Sequence, residues 1–358
     1  MSALRTIRQF VPAVYPRDAV GGQVLRLSRE LGLRGFDAPV FVEETRPETA
    51  AHTRPVSTLG PVDPHAVNVY HMATGSAVVE TLIARSEPLV TVHHNLTPLE
   101  LMAPWDPEQV HQLTLARRQL ESLARSSRLG IGDSEYNRLE LERLGFASTA
   151  VAPIVFDPPS VSRAEHSGGR NSEVVLFVGR IAPNKAQHDL IKAIALLVQQ
   201  RPSVQLRLVG ASASDRYKTA LERMVAGLDL ARNVVFVGPV DDAQLEVEYA
   251  QADVLCCLSD HEGFGVPLIE AMARRLPVVA YASSAVPETV DGAALLLPVK
   301  DPATVSTALD RVLGSPELAA SLAAAGSRRA EAFSADRAVD AFLAALELLD
   351  AVTSEDAL

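Results

Sequence analysis

Two stretches of this 358-residue chain set cations, carboxylates and glycines at spacings suited to a phosphorylated sugar. The first, Gly179-Arg180-Ile181-Ala182-Pro183-Asn184-Lys185, directly follows the apolar run VVLFV and precedes a helical pattern. Glycine permits close backbone approach. Arg180 and Lys185 can converge on one dianion through charge-assisted hydrogen bonds of about 1.5–3 kcal/mol each. The alternative is a solvated loop with two surface cations. The second stretch is DHEGFGVPLIEAMA, from Asp260 to Ala273, after the strand-like run VLCCL. Pro267 suits the first turn of a helix, so Gly263, Phe264, Gly265 and Val266 would present backbone N–H groups at its positive end, an anion site. Glu262 then lies in the loop within reach of a sugar. Glu270, one turn inside, is an acceptor-only group able to hold vicinal ribose hydroxyls. Against this stands a plain helix start with acids favoured by the dipole.

The first half carries a third such loop, Thr91-Val92-His93-His94-Asn95-Leu96-Thr97-Pro98. A histidine here can hydrogen-bond a sugar hydroxyl or stabilise developing charge. A histidine satisfied at a strand end is the competing reading, and it weighs more on His93 than on His94. Asp18-Ala19-Val20-Gly21-Gly22-Gln23 follows the first strand and opens a helix, with a simple tight turn as the competitor. His71-Met72-Ala73-Thr74-Gly75-Ser76 is another strand-to-helix loop, in which Thr74 or Ser76 is available as a cap.

Loops of this kind need strands to leave and helices to enter. Short β-branched runs predict strands at 6–12, 38–43, 67–71, 89–93, 129–132 and 150–155, then at 174–178, 205–209, 234–237, 254–258, 278–281 and 294–297. Between them fall helix-length patterns. One from Gly22 puts Val24, Leu25, Leu27, Ser28 and Leu31 on one stripe; another is capped by Ser134 and ended by Gly145. In the second half helices start near Lys185, Asp215, Asp241, Gly265, Pro302 and Pro316. Alternation of this sort requires parallel sheets with crossover helices, hence two doubly wound, Rossmann-like α/β domains facing across a cleft, with ligands at the carboxyl ends of the strands. The Pro-, Ser- and Gly-rich stretch FDPPSVSRAEHSGGRNS marks the break. The expected organisation is a first domain at 1–157, a linker at 158–172, a second domain at 173–331 and a terminal helix and tail at 332–358. Periodicity does not set that helix's destination, and packing back onto the first domain is one placement.

Composition bounds the partners. The chain is 47% hydrophobic and 22% charged, with a net charge of −11, the wrong sign for a long phosphate backbone, so nucleic acid is not expected. Residues 1–155 hold 15 Arg, no Lys and 17 acids. The two cysteines, Cys256 and Cys257, are adjacent and read as small buried hydrophobes in a reducing compartment. No apolar run approaches 18 residues and no secretory segment opens the chain, so a cytoplasmic protein is expected. No Asp-x-Asp and no His/Cys cluster with ligand spacing appears, so neither a metal nor another cofactor is required. No P-loop and no Gly-x-Gly-x-x-Gly follows a strand, which argues against an NTPase or a nicotinamide enzyme.

The sequence resembles the retaining nucleotide-sugar glycosyltransferases of family 4, which have the two-domain GT-B fold and a Glu-x7-Glu motif, here Glu262 to Glu270. The likeness spans nearly the whole chain and is most specific in GRIAPNK, LRLVG, VVFVGPV, YAQADVLCCLS, HEGFGVPLIEAMA, PVVAY and VPETV. It implies a donor diphosphate on Arg180 and Lys185, amides from Gly263, Phe264, Gly265 and Val266 toward the donor, ribose on Glu270, and the donor sugar beside Glu262. It selects His94, with Asn95 where relatives usually carry Asp or Asn, and leaves His93 as its neighbour. Gly21, Gly22 and Gln23 resemble the glycine-rich loop between the acceptor site and the donor phosphates, Gly22 on the donor side. His71 and Thr74 would line the acceptor site, and the loop at Gly238 would read the nucleobase. Catalysis would fall to Glu262, His94, Arg180 and Lys185, by a front-face path in which the leaving phosphate helps take the acceptor proton. The expected reaction moves a sugar from a nucleoside diphosphate, UDP first, to a hydroxyl of a soluble small molecule or saccharide. The helix at 108–127, with Arg117, Arg118 and Arg125 among acids, is too weakly basic to predict strong membrane association. The alternatives are a UDP-sugar 2-epimerase of the same fold, a transferase with a lipid-linked acceptor, and a silent nucleotide-sugar binding protein.

Overall fold

The computed structural model describes residues 4–15, 18–157 and 172–355, with side chains to Leu349. Contacts gather the chain up to Leu99, Glu108–Asp157 and the segment from Phe333 onward into one unit; Glu100–Pro107 and the segment up to Ala332 form the other. The expected linker at 158–172 lies, apart from Ser172, outside the described residues.

In the first unit β1 (Thr6–Ala13), α1 (Ala19–Leu33), β2 (Val40–Glu44), β3 (Arg54–Pro55), β4 (Ala66–Met72), α2 (Val78–Ile83), β5 (Leu89–His93), α3 (Leu99–Met102), α4 (Pro107–Ser126), β6 (Leu129–Gly132), α5 (Glu135–Arg143) and β7 (Thr149–Val151) succeed one another, with α3 running across the boundary at Leu99. The seven strands are parallel in the order β3-β2-β1-β4-β5-β6-β7. One sheet face (Ile7, Val67, Val69, Val90, Val92, Leu129, Ile131) is buried beneath Leu27 and Leu31 of α1 and beneath Ala338, Val339, Phe342, Ala345 and Leu346 of the terminal helix. Those last five recur at helical spacing, and each large apolar side chain buried this way contributes about 1.5–3 kcal/mol. The first strand run thus extends to Ala13, and the run expected at 150–155 stops at Val151. The helix expected from Gly22 begins at Ala19, so Gly21 and Gly22 occupy its first turn and not a loop. Asp18 caps it, accepting from Gly21 N at 2.9 Å.

The second unit runs β8 (Val174–Val178), α6 (Gln187–Leu197), β9 (Gln205–Val209), α7 (Asp215–Gly227), β10 (Val234–Gly238), α8 (Asp242–Gln251), β11 (Val254–Cys257), α9 (Val266–Ala273), β12 (Val278–Tyr281), α10 (Val286–Val290), β13 (Leu295–Leu297), α11 (Pro302–Gly314) and α12 (Pro316–Ala330); α13 (Ala335–Glu355) returns to the first unit. Its six parallel strands lie in the order β10-β9-β8-β11-β12-β13. Val175, Leu206, Leu208, Val254, Cys256 and Val279 meet Ile191, Ile194, Leu221, Val305 and Leu309 in its core. Cys256 and Cys257 are buried free thiols, and burial pushes both above the ordinary range. The helix expected near Lys185 is α6, which begins at Gln187 after a single 3-10 turn, Pro183–Lys185, and Ala186 at φ 51. Each sheet reverses its winding at one place, between β1 and β4 and between β8 and β11, where loops diverge and leave a crevice.

Candidate active site

The β8/β11 reversal brings together the two loops singled out above. Asp260 N donates to Asn184 O at 2.8 Å, and Asn184 Nδ2 reaches His261 O at 3.5 Å. Lys185 Nζ donates to both carboxylate oxygens of Glu262 at 2.7 Å. Glu262 is buried, with Cys257 Sγ 3.9 Å behind Oε1, while its backbone N–H donates to Ser284 Oγ at 3.2 Å. Lys300 Nζ, from the segment after β13, lies 2.6 Å from Asp260, 2.9 Å from Asp189 and 3.3 Å from Leu258 O. The Arg180 side chain is exposed, and no ion pair holds it among the described residues.

A close backbone approach makes the Gly179 loop. Gly179 has φ 147 and Gly210, at the end of β9, has φ 140; a Cβ on Gly210 would lie 2.0 Å from Gly179 O. Gly210 N in turn donates to Gly238 O at 2.9 Å, and Gly238 takes φ 82. The carboxyl ends of β8, β9 and β10 are thereby tied in a row. At the other loop Gly265 takes φ 90 as N-cap of α9; Pro267 brings no N–H and Leu268 N donates back to Gly265 O at 2.9 Å, so in this first turn it is Val266 whose N–H lacks an intrahelical acceptor. Gly263 and Phe264 precede them, and Phe264 O accepts from Thr289 Oγ1 at 2.5 Å. Glu270 is half-buried and accepts from Tyr249 OH at 2.7 Å through Oε2. This edge therefore presents two cations, two carboxylates, a helix N-terminus and glycine backbone, a combination able to hold a diphosphate and a polyol.

In the first unit the histidines separate by strand alternation. His93 turns to α5, where Nε2 meets Glu140 Oε2 at 3.1 Å, and its buried Nδ1 has no partner. His94 points to the other face, its side chain 4% exposed, with Nε2 2.9 Å from His71 Nδ1 and Nδ1 3.3 Å from Asp133 Oδ2. His71 is buried and its Nε2 lies 3.1 Å from Gln9 Oε1. Both nitrogens of His71 and of His94 are therefore engaged within the unit, which leaves neither ring a free nitrogen for a sugar hydroxyl. Asn95 sits at φ 80, a backbone conformation that Asn tolerates better than most residues, and donates through Nδ2 to Asn137 Oδ1 at 2.7 Å. Gln23 is also committed: its Oε1 accepts from Val155 N at 2.7 Å. Thr74 is half-buried and its carbonyl lies 3.4 Å from Tyr70 OH, while Ser76 Oγ accepts from Val78 N at 3.1 Å where α2 begins. Gly22 is half-buried beside Arg26, and Gly21 is packed against Val14.

Sequence reasoning did not pick out Gln9, Asp133, Asn137, Gly210, Ser284 or Lys300. Gly210 alone left a signal, as the last residue of LRLVG.

Residues 161–329 match the family described as Glycosyl transferases group 1. That match falls within the second unit. A D-inositol 3-phosphate glycosyltransferase of Geodermatophilus obscurus is 31% identical over 281 residues, 73% of this chain and 61% of that protein. The chain thus spans less than two thirds of that relative's length. Sucrose-phosphate synthase from Thermosynechococcus elongatus superposes with a TM-score of 0.76 at 21% identity, covering 97% of this chain and 100% of its own. Anabaena HepE in complex with UDP-glucose gives 0.76 at 20% identity, over 97% and 99%. These likenesses make the fold GT-B, two parallel-sheet α/β domains, as the alternation of runs required. Among the described residues no group of three or more His, Cys, Asp or Glu is placed to hold a metal ion, and no helix is long and apolar enough to cross a membrane.

Proposed function

We propose that the protein transfers a sugar from a nucleoside diphosphate to a hydroxyl of a soluble small molecule or saccharide, with retention at the anomeric carbon. The observation that carries this reading is the meeting of Lys185 and Glu262, beside Arg180 and the α9 N-terminus, at the one place where the second unit's sheet reverses. Arg180 and Lys185 bind the donor diphosphate and stabilise the charge it gains as the glycosidic bond breaks. Glu270 takes the ribose, Glu262 positions the donor sugar, and the loop at Gly238 reads the base. Because these groups are the cations the leaving group needs, the reaction proceeds without a divalent metal. UDP is the preferred donor base, a choice supported by the fold shared with the protein bound to UDP-glucose. The relative's name supports a small phosphorylated polyol as acceptor. The cytoplasm, where nucleotide sugars and free thiols coexist, is the proposed setting.

Lys185→Ala removes one phosphate contact in the transition state and is expected to lower kcat/KM by about two orders of magnitude. Steady-state assay with and without acceptor tests this. An unchanged kcat/KM in Lys185→Ala, or conversion of the donor sugar in the absence of any acceptor, overturns the assignment.

A further inference from the structure

Across the first sheet Gln9, within β1, and His71, His94 and Asp133, at the carboxyl ends of β4, β5 and β6, stand on one face. The register places them there: Gln9 pairs with Val69, His71 with Val92 and Val92 with Ile131, and His71, His94 and Asp133 each lie two residues beyond one of these. Their side chains make one continuous chain of contacts, Gln9 Oε1 to His71 Nε2 at 3.1 Å, His71 Nδ1 to His94 Nε2 at 2.9 Å and His94 Nδ1 to Asp133 Oδ2 at 3.3 Å. The two imidazole planes lie within 9° of each other, so each ring N–H points at its neighbour's in-plane lone pair.

The ends of this chain are both acceptors. Gln9 Nε2 donates to Val24 O at 3.3 Å, and a carbonyl can only accept, which turns Gln9 Oε1 toward His71. Asn137 Nδ2 donates to Asp133 Oδ1 at 2.5 Å and to His93 O at 3.4 Å, so Asp133 is used as an acceptor on that side too. Three contacts between two terminal acceptors need three protons on four ring nitrogens. Two neutral imidazoles carry only two.

We propose that His94 is held as an imidazolium, donating from Nδ1 to the Asp133 carboxylate and from Nε2 to a neutral His71, which donates from its own Nε2 to Gln9. The third proton is placed on the imidazoles and not on Asp133, whose two oxygens each face a nitrogen of a neighbouring side chain. Asp133 also precedes Ser134, the N-cap of α5, where the helix dipole favours a negative charge. Burial, and then the charge of His94, push His71 well below its usual range, which makes it the neutral partner. The other titratable groups packed close by are His93 and Glu140, paired with each other on the opposite face of the sheet. Asp133 and His71 are thus positioning residues: they fix a positive charge at this sheet edge whose N–H groups are all used internally. On the transferase reading, His94 then acts on the reacting groups through its field and not as a proton donor or base.

The test is ring ¹⁵N NMR of the histidine-labelled protein at pH 7.5, with the exposed His52, His65 and His111 as references in the same spectrum. The His71–His94 pair is assigned by the through-space contact between their rings. Both His94 nitrogens are expected to carry protons in the wild type, and one of them to lose its proton in Asp133→Asn. A wild-type His94 with one unprotonated nitrogen at this pH overturns the proposal, and that spectrum decides it even if the variant fails to fold. The readout needs no substrate, so a protein that shows a doubly protonated His94 but transfers no sugar keeps this inference and loses the previous one.

Discussion

Glu87 shows how a single carboxylate is worked into this fold. Its side chain accepts from Arg8 Nη1 at 2.8 Å and from both Arg85 Nε and Nη2, and it also takes the Asp63 backbone N–H at 3.2 Å. Burial alone would raise the carboxyl; the bonds from Arg85, the backbone and Arg8 outweigh it and hold the group at about 2 against an ordinary 4.5. The folded group is the stronger acid, so its contribution is complete above about 4.5 and is lost as the pH falls from there toward 2. Glu87→Gln is therefore expected to melt below the wild type at pH 7, with the gap closing as the pH drops through that window in parallel thermal melts. A constant gap from pH 7 to pH 3 would contradict it. At this scale the sequence was legible where chemistry is carried by type and local spacing: Arg180, Lys185, Glu262 and Glu270 lie within two short stretches. Glu87, Gln9 and Asp133 were not legible, because their partners are set by register across neighbouring strands, and nothing in a linear spacing announces it.

The elements repeat that division. Runs such as VVLFV and VLCC announced their strands within a residue or so, because a strand buried on both faces must be continuously apolar. The two-residue β3 and the five-residue α10 are too short for any period to register. Gly21 and Gly22 misled by composition: paired glycines after a strand suggest a turn, but the Asp18 cap fixes the helix start ahead of them. Glycine at Gly210 is required for a different reason. With φ 140 and a would-be Cβ 2.0 Å from Gly179 O, Gly210→Ala must push apart the ends of β8 and β9. The expected loss is about 3 kcal/mol or more of stability, read by urea unfolding, together with weakened nucleotide binding because the Gly179–Lys185 loop is displaced. A stable Gly210→Ala protein that binds nucleotide normally would show that the approach is not needed.

For the whole molecule, chain order and domain membership do not coincide. The first unit is completed by α13 after the entire second unit has been made, and Glu100–Pro107 belongs to the second unit although it is flanked on both sides by the first. Within the second unit Trp105 lies edge-on to Tyr217, with ring centroids 5.0 Å apart, and its carbonyl is 3.4 Å from Ser214 Oγ. A cut placed by composition alone has no means of assigning the eight residues Glu100–Pro107, which Trp105 joins to the second unit through Tyr217 and Ser214. Nor could amphipathicity choose the surface that the apolar stripe of α13 covers.

The four lysines of the chain, Lys185, Lys192, Lys218 and Lys300, all lie in the second unit, and their surroundings divide them. All four meet carboxylates, but Lys192 and Lys218 have side chains 44% and 41% exposed, whereas Lys185 and Lys300 are 18% and 17% exposed. An acylating reagent should accordingly mark lysine side chains of one domain only and in two waves, Lys192 and Lys218 before Lys185 and Lys300, as peptide mass mapping would record. Adding UDP, GDP, ADP or dTDP in turn should slow modification at Lys185 while leaving Lys192 and Lys218 unaffected, and the nucleotide that protects best names the donor base. Equal rates at all four lysines, or protection spread evenly over them, would contradict the pairing. The Lys185–Glu262 contact thereby makes the protein its own footprinting reporter, with a built-in control on α6 and α7.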